Sequence, residues 1–496
     1  MVPVAAPLGR SERRVAAASY VSGLLMPGQR KSIEPMAARL RLDPQRLQQF
    51  ITDSPWDEEQ LWRVIRQEVI PHFEPIEAWI PDETGWLKQG KHSVGVNHQY
   101  CNSIGKQDNC QVSVELAVSN GFVAAPVAGR LYLPQSWAED PERRAKAGVP
   151  SEITFATKSQ IALELIERAL ADEVAPAPVL GDAAFGDSFA FRQRLRELHL
   201  EFFLQVTPEE HLGWVQEVPT VLKSKYRQLA DEELTPGARH LMDIAPSLRT
   251  EAWKHCSWTT VGGQRHYTRI AWQEVFLARG LKEPYGQLEK VWLVVDWPKG
   301  AQKPYHCYLA HFHRQPSKAH CLRLSRSRWH VEQYFQRSKD DLGLDHFEGR
   351  SWRGFHHHLV MSAIAYLFIL TIYLAAKKNF WSDVGENPGI DPALAAAIDR
   401  TWLHVRDLER QLETHDGVWG PLETRSVPSQ RELDRPQHKS TRIFAATNTN
   451  PSTPANQSRM VLRALSADAS ASFAGTLTIW APITSLSFQP KPLAVP

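Results

Sequence analysis

Residues 328–350 read RWHVEQYFQRSKDDLGLDHFEGR, and the placing of one glutamate in this run decides how the chain is read. Val331, Phe335 and Leu342 recur at helical spacing. At about 100° per residue they fall in one narrow apolar stripe. Glu332 lies beside that stripe, and on the same helix Arg328 projects about 40° to one side of it and Lys339 about 20° away. The three form a charged seam along the edge of a core-facing stripe. An Arg328–Glu332 pair at i,i+4 is also what an ordinary solvated helix face carries. The rest of the chain therefore decides what the seam means.

The chain has 496 residues, 43% apolar and 23% charged, which describes a soluble globular protein of several domains. Its net charge of +2 conceals local basic clusters, Arg10 to Arg14 and Arg323 to Arg328, and local faces are what bind nucleic acid. Five cysteines, with no CxxC among them, argue against a disulfide framework and for a reducing, cytoplasmic compartment. Cys101 and Cys110, near His92 and His98, match no standard zinc spacing. The N-terminus has no signal-peptide run. Leu359 to Ala376 is uncharged over 18 residues, the lower limit for a membrane span. Its Ser362, Tyr366, Thr371 and Tyr373, and the lack of a second such run, indicate a buried core helix.

Residues 1–75 read as helices. Asp43-Pro44 and Ser54-Pro55 each set a capping side chain before a proline. Helix, turn and helix over MAARLRLDPQRLQQF, with Arg39, Arg41 and Arg46 exposed, fit a helix-turn-helix and a plain bundle about equally. From 76 the period changes. Ile76 to Ile80, Ser93 to Tyr100, Val112 to Val118 and Gly129 to Leu133 predict antiparallel strands. A helix over Ser159 to Leu170, a short strand ending at Asp182, a helix over Phe189 to Leu198 and a strand over Phe202 to Val206 follow. Strands first and alternation afterwards predict a mixed α/β sheet. Residues 211–317 are Trp-rich with β-type runs and read as an insertion. Residues 379–496 form an extension, of low complexity at 438–458 and read as largely disordered after about 420.

Asp82 follows AWIP and is expected at a strand end; Asp182 follows VLG at another; Glu332 lies on the helix. The gaps are 182 − 82 = 100 and 332 − 182 = 150 residues. Three carboxylates meeting in one cleft repel unless hard divalent cations, Mg²⁺ or Mn²⁺, neutralise them. Two such ions suit phosphodiester cleavage. Spacing alone leaves this open, because acids at strand ends are common.

R-x3-E-x6-K at Arg328, Glu332 and Lys339 resembles the Y-R-E-K signature of DDE transposases of bacterial insertion sequences. WIPDETGWLKQGKHSVGV and VLGDAAFGD resemble the segments carrying their two aspartates, and LGLDHFEGRSWRGFHHH the continuation of the glutamate helix. The resemblance covers roughly residues 20–376. It implies an RNase H-like catalytic domain, split over 76–210 and 318–378 by the β-rich insertion of 211–317. It implies Asp82, Asp182 and Glu332 as catalytic metal ligands for two Mg²⁺ or Mn²⁺ ions, with Arg328 and Lys339 on DNA phosphates. The implied partners are transposon ends and target DNA, bound by a homodimer in a synaptic complex at the bacterial nucleoid, with no membrane. The signature's tyrosine falls at Ser325 here. Two other readings are a domesticated or impaired copy that only binds DNA, and a nuclease without strand transfer.

Ordinary roles are expected for the neighbours. Asp187 is read as a helix cap and Glu83 as pointing away from Asp82. His346 and His356 to His358 are read as surface or helix-start packing, Trp329 as packing on the sheet, and most insertion tryptophans as core.

Overall fold

The sequence AWIPDETGWL forms a ten-residue strand, β1 (Ala78–Leu87), because both of its faces are covered. The computed structural model describes residues 5–215, 237–259, 265–277, 289–304 and 306–382, with backbone alone at 258–259 and 375–382. Thr259 apart, these belong to one compact unit. The extension from 383, including its expected disorder, and four stretches of the expected insertion, 216–236, 260–264, 278–288 and 305, lie outside the described residues.

Beyond β1 the described strands are β2 (Asn97–Cys101), β3 (Lys106–Ser119), β4 (Ala124–Leu131), β5 (Val179–Gly181), β6 (Phe202–Val206), β7 (Leu212–Trp214), β8 (Arg239–His240), β9 (Lys254–Thr259), β10 (Arg265–Leu277), β11 (Glu289–Pro298) and β12 (His306–His311). They join in one mixed sheet. Its centre runs β4-β3-β1-β5-β6, antiparallel from β4 to β1 and parallel from β1 to β6. β12 then pairs antiparallel with β6, followed by β11 and β10. The expected insertion thus continues the central sheet, because β12 finds its hydrogen-bond partners on the open side of β6 and not in a core of its own.

The two faces of β1 are separated by strand alternation. Trp79 and Glu83 face the helix Lys158–Ala171: the Trp79 indole donates to the Ala175 carbonyl at 2.9 Å and Glu83 pairs with Lys158 at 2.5 Å. Asp82 and Trp86 face the other way. There Trp86 packs on Phe355 of the long helix Trp352–Ser382, ring centroids 4.4 Å apart. That helix is long and apolar enough to cross a membrane, but here Leu359, Val360, Ala363 and Leu367 are wholly buried against protein. It is the core helix that the sequence predicts.

The N-terminal helices Ser11–Leu25, Pro44–Thr52 and Glu58–Val64 pack onto this core helix, and Ile33–Leu40 packs on the first two of them. Trp56 stacks on His357 at 3.5 Å, and the Tyr20 hydroxyl lies 2.8 Å from His358 Nδ1. All three histidines are interior. The partners assign two tautomers: His356 donates to the Trp352 carbonyl and accepts from the Leu131 amide, while His358 donates to the Leu344 carbonyl and accepts from Tyr20. Asp43 caps its helix as expected, but the next helix is capped by Asp57 and not Ser54. Arg41 and Arg46 are exposed, whereas Arg39 is half-buried and donates to the Arg30 carbonyl at 2.9 Å.

Candidate active site

Asp82 and Asp182 are brought together by register. Trp79 of β1 pairs in parallel with Val179 of β5, so three residues further along both chains Asp82 and Asp182 stand level. Asp82 is not at the end of its strand, because β1 stays paired with β3 as far as Leu87. The strand that ends there is β5, at Gly181, which opens the sheet beside Asp82. Asp182 then caps the short helix Ala183–Gly186, its carboxylate accepting from the Ala184 amide at 3.0 Å. This is ordinary capping chemistry, and it turns the chain away so that the carboxylate stays at the sheet edge.

Glu332 arrives from the other layer. The helix Trp329–Asp340 lies over β1 and β4 and carries Glu332 in its first turn, where the helix dipole favours an acid. Arg328, the residue before this helix, joins the two elements: one guanidinium nitrogen lies 3.3 Å from an Asp82 oxygen and another contacts Glu332 more closely still. Asp82 is buried, Arg328 and Glu332 partly so. Burial pushes the Asp82 carboxyl up to about 8; Arg328 opposes this, and the Asp182 and Glu332 carboxylates add to it.

Lys339 lies elsewhere. Two turns along the same helix its ammonium donates to the Gly85 carbonyl of β1 at 2.8 Å, and burial lowers its pKa. The structure therefore places it as a tie between helix and strand. Ser325 donates to the Leu322 carbonyl at 2.9 Å, within its own helix, Lys318–Ser327. Trp329, expected on the sheet, is 36% exposed and lies outside the inward apolar stripe of Val331 and Tyr334. Asp187 is not the helix cap either. Ser188 caps Phe189–Glu197, and Asp187 instead accepts from the Thr207 amide at 2.9 Å and approaches His211 at 2.7 Å. Glu83 points away from Asp82, as expected.

One acidic residue of this region was missed. Glu115 of β3 stands directly across from Asp82 and is fully buried. Its two oxygens accept from the Tyr334 hydroxyl at 2.6 Å and the Ser113 hydroxyl at 3.0 Å. Burial pushes it up to about 7, against those two hydrogen bonds. The signal was present: in VSVELAV a charged residue occupies an inward position of a strand covered on both faces. A cavity of about 290 Å³ opens nearby, between Ala183, Thr207, Glu209 and His306.

Among the described residues no three His, Cys, Asp or Glu side chains are grouped to hold a metal ion as they stand. The donor types nevertheless suit one. Asp82, Asp182 and Glu332 supply the oxygen ligands that hard divalent ions take, and a guanidinium already stands between two of them in a cation's place.

Residues 3–272 match the family described as DDE superfamily endonuclease, more than half of the chain, and the chain belongs to that family. Asp82 and Asp182 fall inside the matched span and Glu332 beyond it. A curated relative is the probable transposase for insertion sequence element IS701 of Microchaete diplosiphon, 29% identical over 242 residues. The match takes in 46% of this chain and 58% of that relative, so the chain spans a little over half of the relative's length.

Proposed function

We propose that this chain is a transposase that binds the terminal repeats of an insertion sequence and cuts and joins DNA with Mg²⁺ or Mn²⁺. The observation that carries the reading is the parallel register of β1 and β5, which sets Asp82 level with Asp182, while Arg328 ties Glu332 to the same point. The strand order β4-β3-β1-β5-β6 supports an RNase H-like catalytic domain over 76–210 and 318–378, with 1–75 as the helical DNA-binding part, 211–317 as the β-rich insertion and 379–496 as the extension. Membership of the endonuclease family and the likeness to a probable transposase support the same activity.

In this reading Asp82, Asp182 and Glu332 hold the metal. Two divalent ions at such a site supply an activated water or 3′-hydroxyl and stabilise the leaving oxygen. Arg328 holds a phosphate of the DNA end, and Lys339 fixes the glutamate helix over β1 and meets phosphate only if it leaves Gly85. The protein acts in the bacterial cytoplasm at the nucleoid, as a homodimer that pairs two ends in a synaptic complex, with the core helix inside the protein and not in a membrane. A second reading, a nuclease without strand transfer or an impaired copy, takes its support from Ser325 in the place of the signature tyrosine.

The test is to incubate the purified protein with a DNA fragment bearing the element's ends and Mg²⁺ or Mn²⁺, then map nicks and joined products. Nicks at the ends followed by joining are expected, both lost in Asp82→Asn. Nicks without joined products select the nuclease. Mixing Glu332→Gln protein with a DNA-binding-defective one should restore some cleavage if cutting occurs in trans.

A further inference from the structure

The carboxylate group already contains a cation. Arg328 bridges Asp82 on a strand and Glu332 on its own helix, its planar fork reaching one oxygen of each. Three acids gather here, counting Asp182, whose charge also reaches Asp82. The same guanidinium occupies the space between two of the ligands. Arg328 also sits at the joint between the helices Lys318–Ser327 and Trp329–Asp340, with its side chain 29% exposed. A long side chain at that joint can turn outward without moving either helix. A phosphate is the natural competitor, since it accepts the arginine fork as readily as a carboxylate does.

We propose that Arg328 is the resident cation of this site: without DNA it bridges Asp82 and Glu332 in place of a divalent ion, and a DNA phosphate draws it away, so that metal and DNA load together. This rests on the reading of Asp82, Asp182 and Glu332 as metal ligands. Because linkage is reciprocal, DNA tightens metal binding by the same factor as metal tightens DNA binding. The device keeps the metal-loaded nuclease off until a DNA backbone is in place. It also gives the arginine of the signature a role separate from its grip on phosphate.

The test measures Mn²⁺ binding to the full chain through the loss of the free-ion electron paramagnetic resonance signal, with no DNA and with a non-specific duplex. Arg328→Met keeps most of the aliphatic stem and removes the charge. It should bind Mn²⁺ about tenfold more tightly than the parent without DNA, in the usual range of coupling between sites. Duplex DNA should tighten Mn²⁺ binding by the parent and leave Arg328→Met unchanged. Adding Asp82→Asn to Arg328→Met should abolish the gain. A merely structural arginine would give a variant that binds metal equally or less well. If Arg328→Met binds no tighter while Asp82→Asn still weakens binding, the carboxylates hold metal and the resident-cation proposal is overturned. If Asp82→Asn has no effect in either background, the metal reading itself falls. Near-ultraviolet circular dichroism checks the fold, and Arg328→Lys, which cannot bridge both oxygens, should give an intermediate gain if Arg328→Met does not fold.

Discussion

Glu115→Gln isolates the buried carboxyl that faces Asp82 across the sheet. In the folded chain Glu115 keeps its proton up to about 7, whereas the unfolded chain loses it near the ordinary value of 4.5. Between those two values the folded state holds one proton more than the unfolded state. Stability from this group is therefore complete below about 4.5, falls as pH rises through the window, and is lost above about 7. Roughly two and a half units at about 1.4 kcal/mol each give about 3 kcal/mol, an upper figure for so enclosed a site. Glutamine copies the shape of the neutral acid and cannot lose a proton. Its amide can still meet Ser113 and Tyr334, whose hydroxyls serve as donor or acceptor. Urea denaturation followed by tryptophan fluorescence at pH 4.5 and pH 8 reads the effect. The variant should gain on the parent by about 3 kcal/mol between the two pH values, while other titrating groups cancel in the difference. A difference between variant and parent that stays constant across that range would refute the reasoning.

Arg192 and Glu289 form a two-pronged ion pair, with nitrogen–oxygen distances of 2.8 and 2.6 Å and both side chains almost wholly buried. Arg192→Met should cost roughly 3–5 kcal/mol by leaving the buried glutamate only the more distant Arg196, 3.7 Å away, and adding Glu289→Leu should recover part of it; equal urea midpoints for parent and single variant would refute this. Burial holds His356 at about 3 and His357 and His358 at about 4, so all three are neutral in the folded chain. Their contribution is present above about 6.5 and lost as pH falls, by up to about 4 kcal/mol per pH unit where all three protons are taken up on unfolding; replacing any one should make the acid limb of the stability profile shallower. Asp182 both caps a helix and stands level with Asp82. Asp182→Asn should keep the cap and Asp182→Ala lose about 1 kcal/mol, while both should abolish Mn²⁺-dependent nicking; nicking by the Asn variant would remove Asp182 from the metal set.

Local signals carried the elements. Helical spacing around Glu332, the Asp43-Pro44 cap and the uncharged run of the core helix are all visible within a few residues, because each rests on the periodicity and chemistry of neighbours in sequence. The motifs around Asp82, Asp182, Arg328 and Glu332 were also legible, since those residue types recur at the spacing of a known family. What those signals could not supply was register. Asp82 and Asp182 are 100 residues apart in sequence and become neighbours only because Trp79 pairs with Val179 in a parallel ladder, and no local pattern states that pairing. The same long-range pairing put β12 beside β6 and set Glu115 opposite Asp82. Side-chain partners were decided later still. Lys339 was read as free to meet phosphate, and Trp329 as packed on the sheet. A carbonyl of β1 lies within reach of the one, and the inward stripe of the helix passes the other by. A helical wheel fixes the angle at which a side chain leaves its helix. Only the packed sheet beneath decides which strand atom waits there.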